Sequence, residues 1–413
     1  MTPTSDNLAN EVSPRVRGLF LKNLADFQTE LARVHAGFVP GLAVWEHRKE
    51  VPVHIFRSMR RVQDLRGRGR ELGVSFAEMH LSQGVAGREL LDKLAAAPNT
   101  ADVFQTAMID VPSAMVVAID GYLKRNDNIY DLPSIPLLEA DREELKALRQ
   151  WAEAALPVLA AKTGETPSAE YRKDVEKLTA SLADALQHHV TRSMPALRTG
   201  RKIGRLPLAD SKLPLGFRLL EFGPDPMPAN NTYRHRERYH AVNFLQEVQA
   251  ADSCASTLFD APDMPWDFFF DLSRHFWDET RHSLFGEKKL LELGSSAAEA
   301  GLSSKAYSLR QTLTPHDRYA ALTTQEADAF PGKHLGLKDS IENNDSVSAM
   351  AWSYDISDET QHVRFGTKWL PVMIEKIGEP RNPDQVRADA RGWRESVLAE
   401  VYKPAAVSFG KAP

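Results

Sequence analysis

Two segments of the chain read almost alike: Asp278-Glu279-Thr280-Arg281-His282-Ser283-Leu284-Phe285-Gly286 and Asp358-Glu359-Thr360-Gln361-His362-Val363-Arg364-Phe365-Gly366. Each holds Glu-x-x-His, which on a helix projects a carboxylate and an imidazole from neighbouring turns of one face. Carboxylates are hard anionic ligands able to bridge two cations, and imidazole suits iron, manganese or zinc. Two such units are half of a dinuclear metal site built inside a four-helix bundle. A single Glu-x-x-His carries little information, and a third copy, Glu237-Arg238-Tyr239-His240, lies ten residues from the nearest further candidate ligand. The matched context sets the two units apart: a preceding Asp, a shared Thr and a trailing Phe-Gly at identical offsets.

Ligands of this kind need long helices, and helical periodicity dominates the chain without convincing alternating strands. The expected class is all-α. In the first half, amphipathic stretches fall near Arg15–Ala36, Ala43–Leu72 (interrupted at Pro52), Phe76–Ala97, Phe104–Lys124, Asp141–Ala161 and Ser168–Met194. Residues 1–195 therefore form an N-terminal helical domain, and a Pro/Gly-rich linker covers 196–232. Residues 233–380 then hold four longer helices. The first runs from about Tyr233 to Phe259 and the second from Trp266 to Leu293. The third starts at Thr314-Pro315 and ends at Phe330 before Pro331-Gly332. The fourth runs from Asp345 to Ile377 and stops at Gly378. A C-terminal helix and tail occupy 381–413.

Geometry locates two more ligands. In an antiparallel hairpin, residues at one height lie equally far from the turn. Glu279 stands 14 residues after Pro265, and Glu247 stands 13 before Asp260. Glu247 precedes Glu279 by 32 residues and Glu326 precedes Glu359 by 33, so the unit Glu then Glu-x-x-His occurs twice. The expected metal ligands are Glu247, Glu279, His282, Glu326, Glu359 and His362. Asp278 and Asp358 would accept the N–H of the histidine on the opposite helix and fix its tautomer, with Arg281 as a further nearby charge. Cys254, His275, Tyr319 and Trp352 stand one or two turns from the ligands and are candidates for a pocket wall.

Composition sets outer limits. Hydrophobic residues make up 42% and charged residues 26% of 413, as in ordinary globular proteins. A formal net charge of −5 does not mark a nucleic-acid binder. One cysteine allows no internal disulfide and fits a reducing, cytoplasmic setting. No secretory signal or membrane span is expected.

The six ligand positions resemble the ferritin-like diiron carboxylate superfamily. Asp358–Trp369 is similar to the last helix of an uncharacterised ferritin-like family related to the tRNA-modifying diiron hydroxylase, and Leu290–Gly294 is similar as well. The resemblance covers about residues 233–380. Gln325–Gly332 departs from it, standing where that family tends to have a Glu-Ala-Arg-Gly-Leu-like run. It implies a ferritin-like bundle holding two irons per chain, or manganese, with O2 as co-substrate. The implied activity is a diiron oxygenase that hydroxylates or N-oxygenates a small organic substrate, served by a separate reductase or ferredoxin. A homodimer is compatible with it. Alternatives are a tRNA-modifying hydroxylase, iron storage in an oligomeric shell, and a dimanganese catalase. The tRNA reading looks to Arg57, Arg60, Arg61, Arg66, Arg68 and Arg70, and to Arg192, Arg198, Arg201, Lys202 and Arg205.

Overall fold

The computed structural model describes residues 13–79, 85–125, 129–188, 213–221, 223–225 and 227–401. The second basic cluster, Arg192 to Arg205, lies outside these residues, as do much of the 196–232 linker and the tail beyond 401. Among the described residues every regular element is helical, and one isolated bridge pairs Leu219 with Leu302. The chain is all-α. Packing divides it into two compact units, Met1–Gly216 with Cys254–Thr280, and Phe217–Ser253 with Arg281–Pro413.

The first unit is built on α1 (Pro14–Phe38), which opens with Pro at its first position and is buried continuously from Phe20 to Phe38. A helix buried all round must pair its polar groups internally. Lys22 donates to Asp26 at 2.6 Å, Arg33 to Glu30 at 2.7 Å, and Gln28 to Asp141 at 2.7 Å. Helix α2 (Trp45–Glu71) packs along α1. It passes unbroken through Pro52, where the sequence suggests an interruption. The proline removes one ladder bond, but Val51, Ile55, Met59, Val62 and Leu65 keep one apolar face buried on both sides of it. Short α3 (Arg88–Ala95) covers only part of the helix expected over Phe76–Ala97. Helices α4 (Thr100–Gln105) and α5 (Val111–Arg125) are joined by a π-helical turn at Thr106–Asp110. Among the described residues, Thr100–Arg125 is the one stretch long and apolar enough to cross a membrane, and 61% of its apolar window is buried inside the protein. Helices α6 (Ser134–Thr163), α7 (Ala169–Thr179) and α8 (Leu182–His188) follow.

Burial pushes the Asp141 carboxyl up to about 7, against the opposing bond from Gln28. A carboxyl raised in the folded state keeps its proton where the unfolded chain loses it. Its stabilising contribution is complete below the unfolded value near 4 and is lost as pH rises through about 7. Asp141→Asn is therefore expected to melt higher than the parent chain at pH 8, with the difference vanishing by about pH 4. Equal melting of the two proteins across that range would show that Asp141 is not held protonated.

The second unit carries α9 (Tyr233–Gln246), and α10 (Val248–Asp260) begins in it. One long helix is expected here, but the ladder tightens at Glu247, whose N–H reaches back three residues to Phe244 O at 3.0 Å. No Pro or Gly stands there, so local sequence does not announce the break. Helix α11 (Trp266–Glu292) agrees with the expected second helix. Short α12 (Ala297–Ala300) and α13 (Lys305–Arg310) lead to α14 (Pro315–Glu342), whose N-cap Thr314 accepts from the Asp317 N–H. Helix α14 does not end at Pro331. It continues eleven residues further, and Lys333, Gly336 and Ser340 stay buried on its inner face. A tight turn through Asn344, in the left-handed region at φ 54°, returns the chain as α15 (Ser346–Ile377), which packs along α14 and stops at Gly378. Helix α16 (Pro383–Val401) covers α14 through a small core of Ala320, Ala321, Leu370, Ile374, Val386 and Ala390.

Both trailing glycines of the duplicated segments have a packing reason. A Cβ on Gly286 would lie 2.4 Å from Ala241 O and 2.5 Å from Leu245 N, both backbone atoms of α9. A Cβ on Gly366 would lie 2.6 Å from Thr323 Cβ on α14. Each glycine stands seven residues after its glutamate, two turns along the same face, and lets the neighbouring helix come close there.

Candidate metal centre

Helix α11 presents His275, Glu279 and His282 on successive turns of one face, and all three are fully buried. His275 Nε2 lies 3.4 Å from Glu279 Oε1. Helix α15 presents Asp355, Glu359 and His362 with the same spacing, also buried. The duplication thus extends one turn earlier than Glu-x-x-His, with His275 in one copy and Asp355 in the other at four residues before the glutamate. That offset is readable in the sequence, and it adds His275 to the ligand-type side chains of this face.

In the second unit the ligand-type atoms of Glu326 and His362 approach within 4.8 Å, and so do those of His282 and Glu359. The His282 and His362 rings are 6.0 Å apart, centroid to centroid. His282 Nε2 meets Asp358 Oδ2 at 3.2 Å, while Nδ1 faces Asp355 Oδ1 at 3.4 Å. Asp358 also accepts from Arg281. Asp358 is thus set to hold the His282 ring, with Arg281 holding Asp358. Asp278 accepts from Arg274 Nε on its own helix at 2.6 Å.

Glu247 is half-buried in the turn between α9 and α10. It lines a cavity of about 590 Å³ together with Glu326, Lys333, Glu359, His240, Trp352 and Trp393. His240 meets Trp352 edge-on at 5.2 Å, and burial lowers its pKa. Glu237 of the third Glu-x-x-His instead pairs with Lys289 at 3.0 Å. Among the expected wall residues, Trp352 lines this cavity. Tyr319 and Cys254 are buried in the packed interior.

Lys333 lies beyond the helix end that the sequence suggests at Pro331, on the continued α14. Its Nζ donates to both Asp355 oxygens and to Glu359 Oε1, each at 2.8 Å. Burial pulls its pKa down, but Asp355, Glu359 and Glu247 outweigh that and hold it well above the ordinary lysine range. The signal for it was its place seven residues after Glu326, on the same helical face.

The result is a buried cluster of His and Glu side chains that could hold a metal ion. Its donors fit: carboxylate oxygens and imidazole nitrogens suit iron, manganese or zinc. Gathering several carboxylates away from water is costly unless cations are held among them. Comparisons of the chain with protein-family models, curated proteins and solved structures find no match.

Proposed function

We propose that this protein is a non-haem diiron oxygenase that uses O2 to hydroxylate or N-oxygenate a small organic substrate. In this reading α9–α10, α11, α14 and α15 form a ferritin-like four-helix bundle. Glu247, Glu279, His282, Glu326, Glu359 and His362 hold two irons, with His275 as a further imidazole donor. When bound, the irons supply the electrons that reduce O2, and a separate reductase or ferredoxin restores them. The chain's own residues do the rest. Asp358 and Arg281 orient His282, while Trp352, Trp393 and His240 shape an aromatic wall for the substrate.

One observation carries this reading. Glu247, Glu326 and Glu359 all open onto the 590 Å³ cavity, which is the size of a small-molecule site. Storage of iron needs a path for ions and no substrate-sized chamber. Two of the eleven basic residues to which the RNA reading looks are already paired within the protein. Arg66 is bound to Asp26 and Met79 O, and Arg68 to Asp131 and Ser134, so these guanidinium groups are already engaged. A gel shift with tRNA at low ionic strength is expected to show no complex.

Oxygen uptake tests the proposal. The chain loaded anaerobically with Fe(II) should consume O2 rapidly, and the zinc-loaded chain should not. Peroxide disproportionation by the manganese-loaded chain, without O2 uptake by the iron form, would assign a catalase instead.

A further inference from the structure

The two copies of the Glu then Glu-x-x-His unit are not equivalent in sequence. Seven residues after Glu247 stands Cys254, and seven after Glu326 stands Lys333. Four residues before Glu279 stands His275, and four before Glu359 stands Asp355. One copy therefore carries an extra acid and a lysine where the other carries an imidazole and a thiol.

The lysine sits where a cation belongs. Its ammonium lies 2.8 Å from Glu359 Oε1 and from both oxygens of Asp355, and Asp355 Oδ1 in turn lies 3.4 Å from His282 Nδ1. A metal held by His282 and Glu359 would use the carboxylate that the ammonium now holds. It would also stand a few ångströms from a positive charge at a largely buried position, where like charges repel more strongly than in bulk water. The three charge-assisted bonds now made by Lys333 are strong ones, and a metal must loosen at least one of them to bind.

We propose that Lys333 is a built-in counter-ion that competes with the metal at the Glu359–His282 position, so that the two metal positions fill with unequal affinity. In the metal-free chain the ammonium neutralises Asp355 and Glu359 and keeps the buried acids from repelling one another. On loading, the position next to Glu326 and His362 fills first. The one at Glu359 fills only as the lysine withdraws to Asp355 alone. This inference rests on the metal-centre reading and adds an order of filling to it.

The test is an anaerobic calorimetric titration of the full metal-free chain with Mn(II), together with thermal melting before and after loading. The parent chain should take up Mn(II) in two steps separated by at least about tenfold in affinity. In Lys333→Met the weaker step should tighten by about tenfold or more. The metal-free variant should melt lower than the parent, and Mn(II) should close the gap. Lys333→Arg, which keeps the charge, should behave as the parent. Lys333→Gln, smaller in its change of polarity, carries the same expectation as Met if methionine impairs folding. An unchanged or weakened second step in the neutral variants, with binding otherwise intact, overturns the role of Lys333 alone. No Mn(II) binding in any of the proteins overturns the metal-centre reading and this inference together.

Discussion

Glu279→Ala combined with Glu359→Ala is expected to abolish transition-metal binding, from stoichiometric uptake to a trace, while leaving a helical chain. The two carboxylates stand at corresponding places in the duplicated segments and are 0% and 1% exposed. Each belongs to a different copy of the duplicated segment, so neither copy keeps its full donor set. A carboxylate removed from a preorganised site cannot be replaced by water without loss of charge neutralisation, and metal affinity falls by orders of magnitude. Metal analysis after dialysis reads the outcome directly. Glu237→Ala is the matched control: it removes the glutamate of the third Glu-x-x-His, whose partner is Lys289, and it should keep full metal content. Equal metal content in all three proteins would place the ions elsewhere.

The second large effect concerns Gly286. Glycine to alanine in the middle of an exposed helix stabilises by roughly 1 kcal/mol through backbone entropy. Here the sign should reverse. The new Cβ would meet Ala241 O at 2.4 Å and Leu245 N at 2.5 Å, and backbone atoms of a packed helix cannot rotate away as a side chain can. Overpacking costs about 1–3 kcal/mol and more when the obstacle is rigid. With about 2–4 °C of melting temperature per kcal/mol, a cost of about 1–3 kcal/mol should lower the melting temperature of Gly286→Ala by about 2–12 °C. Spreading α9 from α11 should also weaken metal binding, since Gly286 stands two turns from Glu279. Gly392, on the exposed side of α16 with nothing within 4 Å of an added Cβ, is the control, and its alanine variant should melt at or slightly above the parent. A neutral Gly286→Ala would mean that the helices do not approach as closely as described.

These cases show which features could be read from sequence. The ends of α11 and α15 were legible because strong local signals mark them: proline before Trp266, Asp345 as a side-chain cap, Gly378 in the left-handed region. The buried turns bearing Glu279, His282, Glu359 and His362 were legible because duplication raises two weak motifs above chance. The sequence suggests an end of α14 at Pro331, and the helix runs through it. A local rule about proline yields when burial continues on the same face, and the extension is what carries Lys333 to Asp355 and Glu359. The tightened turn at Glu247 was not legible, since no residue there breaks helices by itself. His275 and Asp355 were legible in principle. Comparing the two copies one turn further upstream reveals a ligand-type residue in each, although of different chemistry. The packing role of Gly286 and Gly366 needed the neighbouring helices, since sequence alone shows only that the glycine recurs.

The most direct test of the central claim is to load the metal-free chain with ⁵⁷Fe(II) under anaerobic conditions, count the iron, and follow it by Mössbauer spectroscopy before and after O2. A carboxylate-bridged pair predicts about two irons per chain, high-spin ferrous before O2 and an antiferromagnetically coupled diferric product after it. One iron or fewer per chain, or ferrous signals that O2 leaves unchanged, would contradict it.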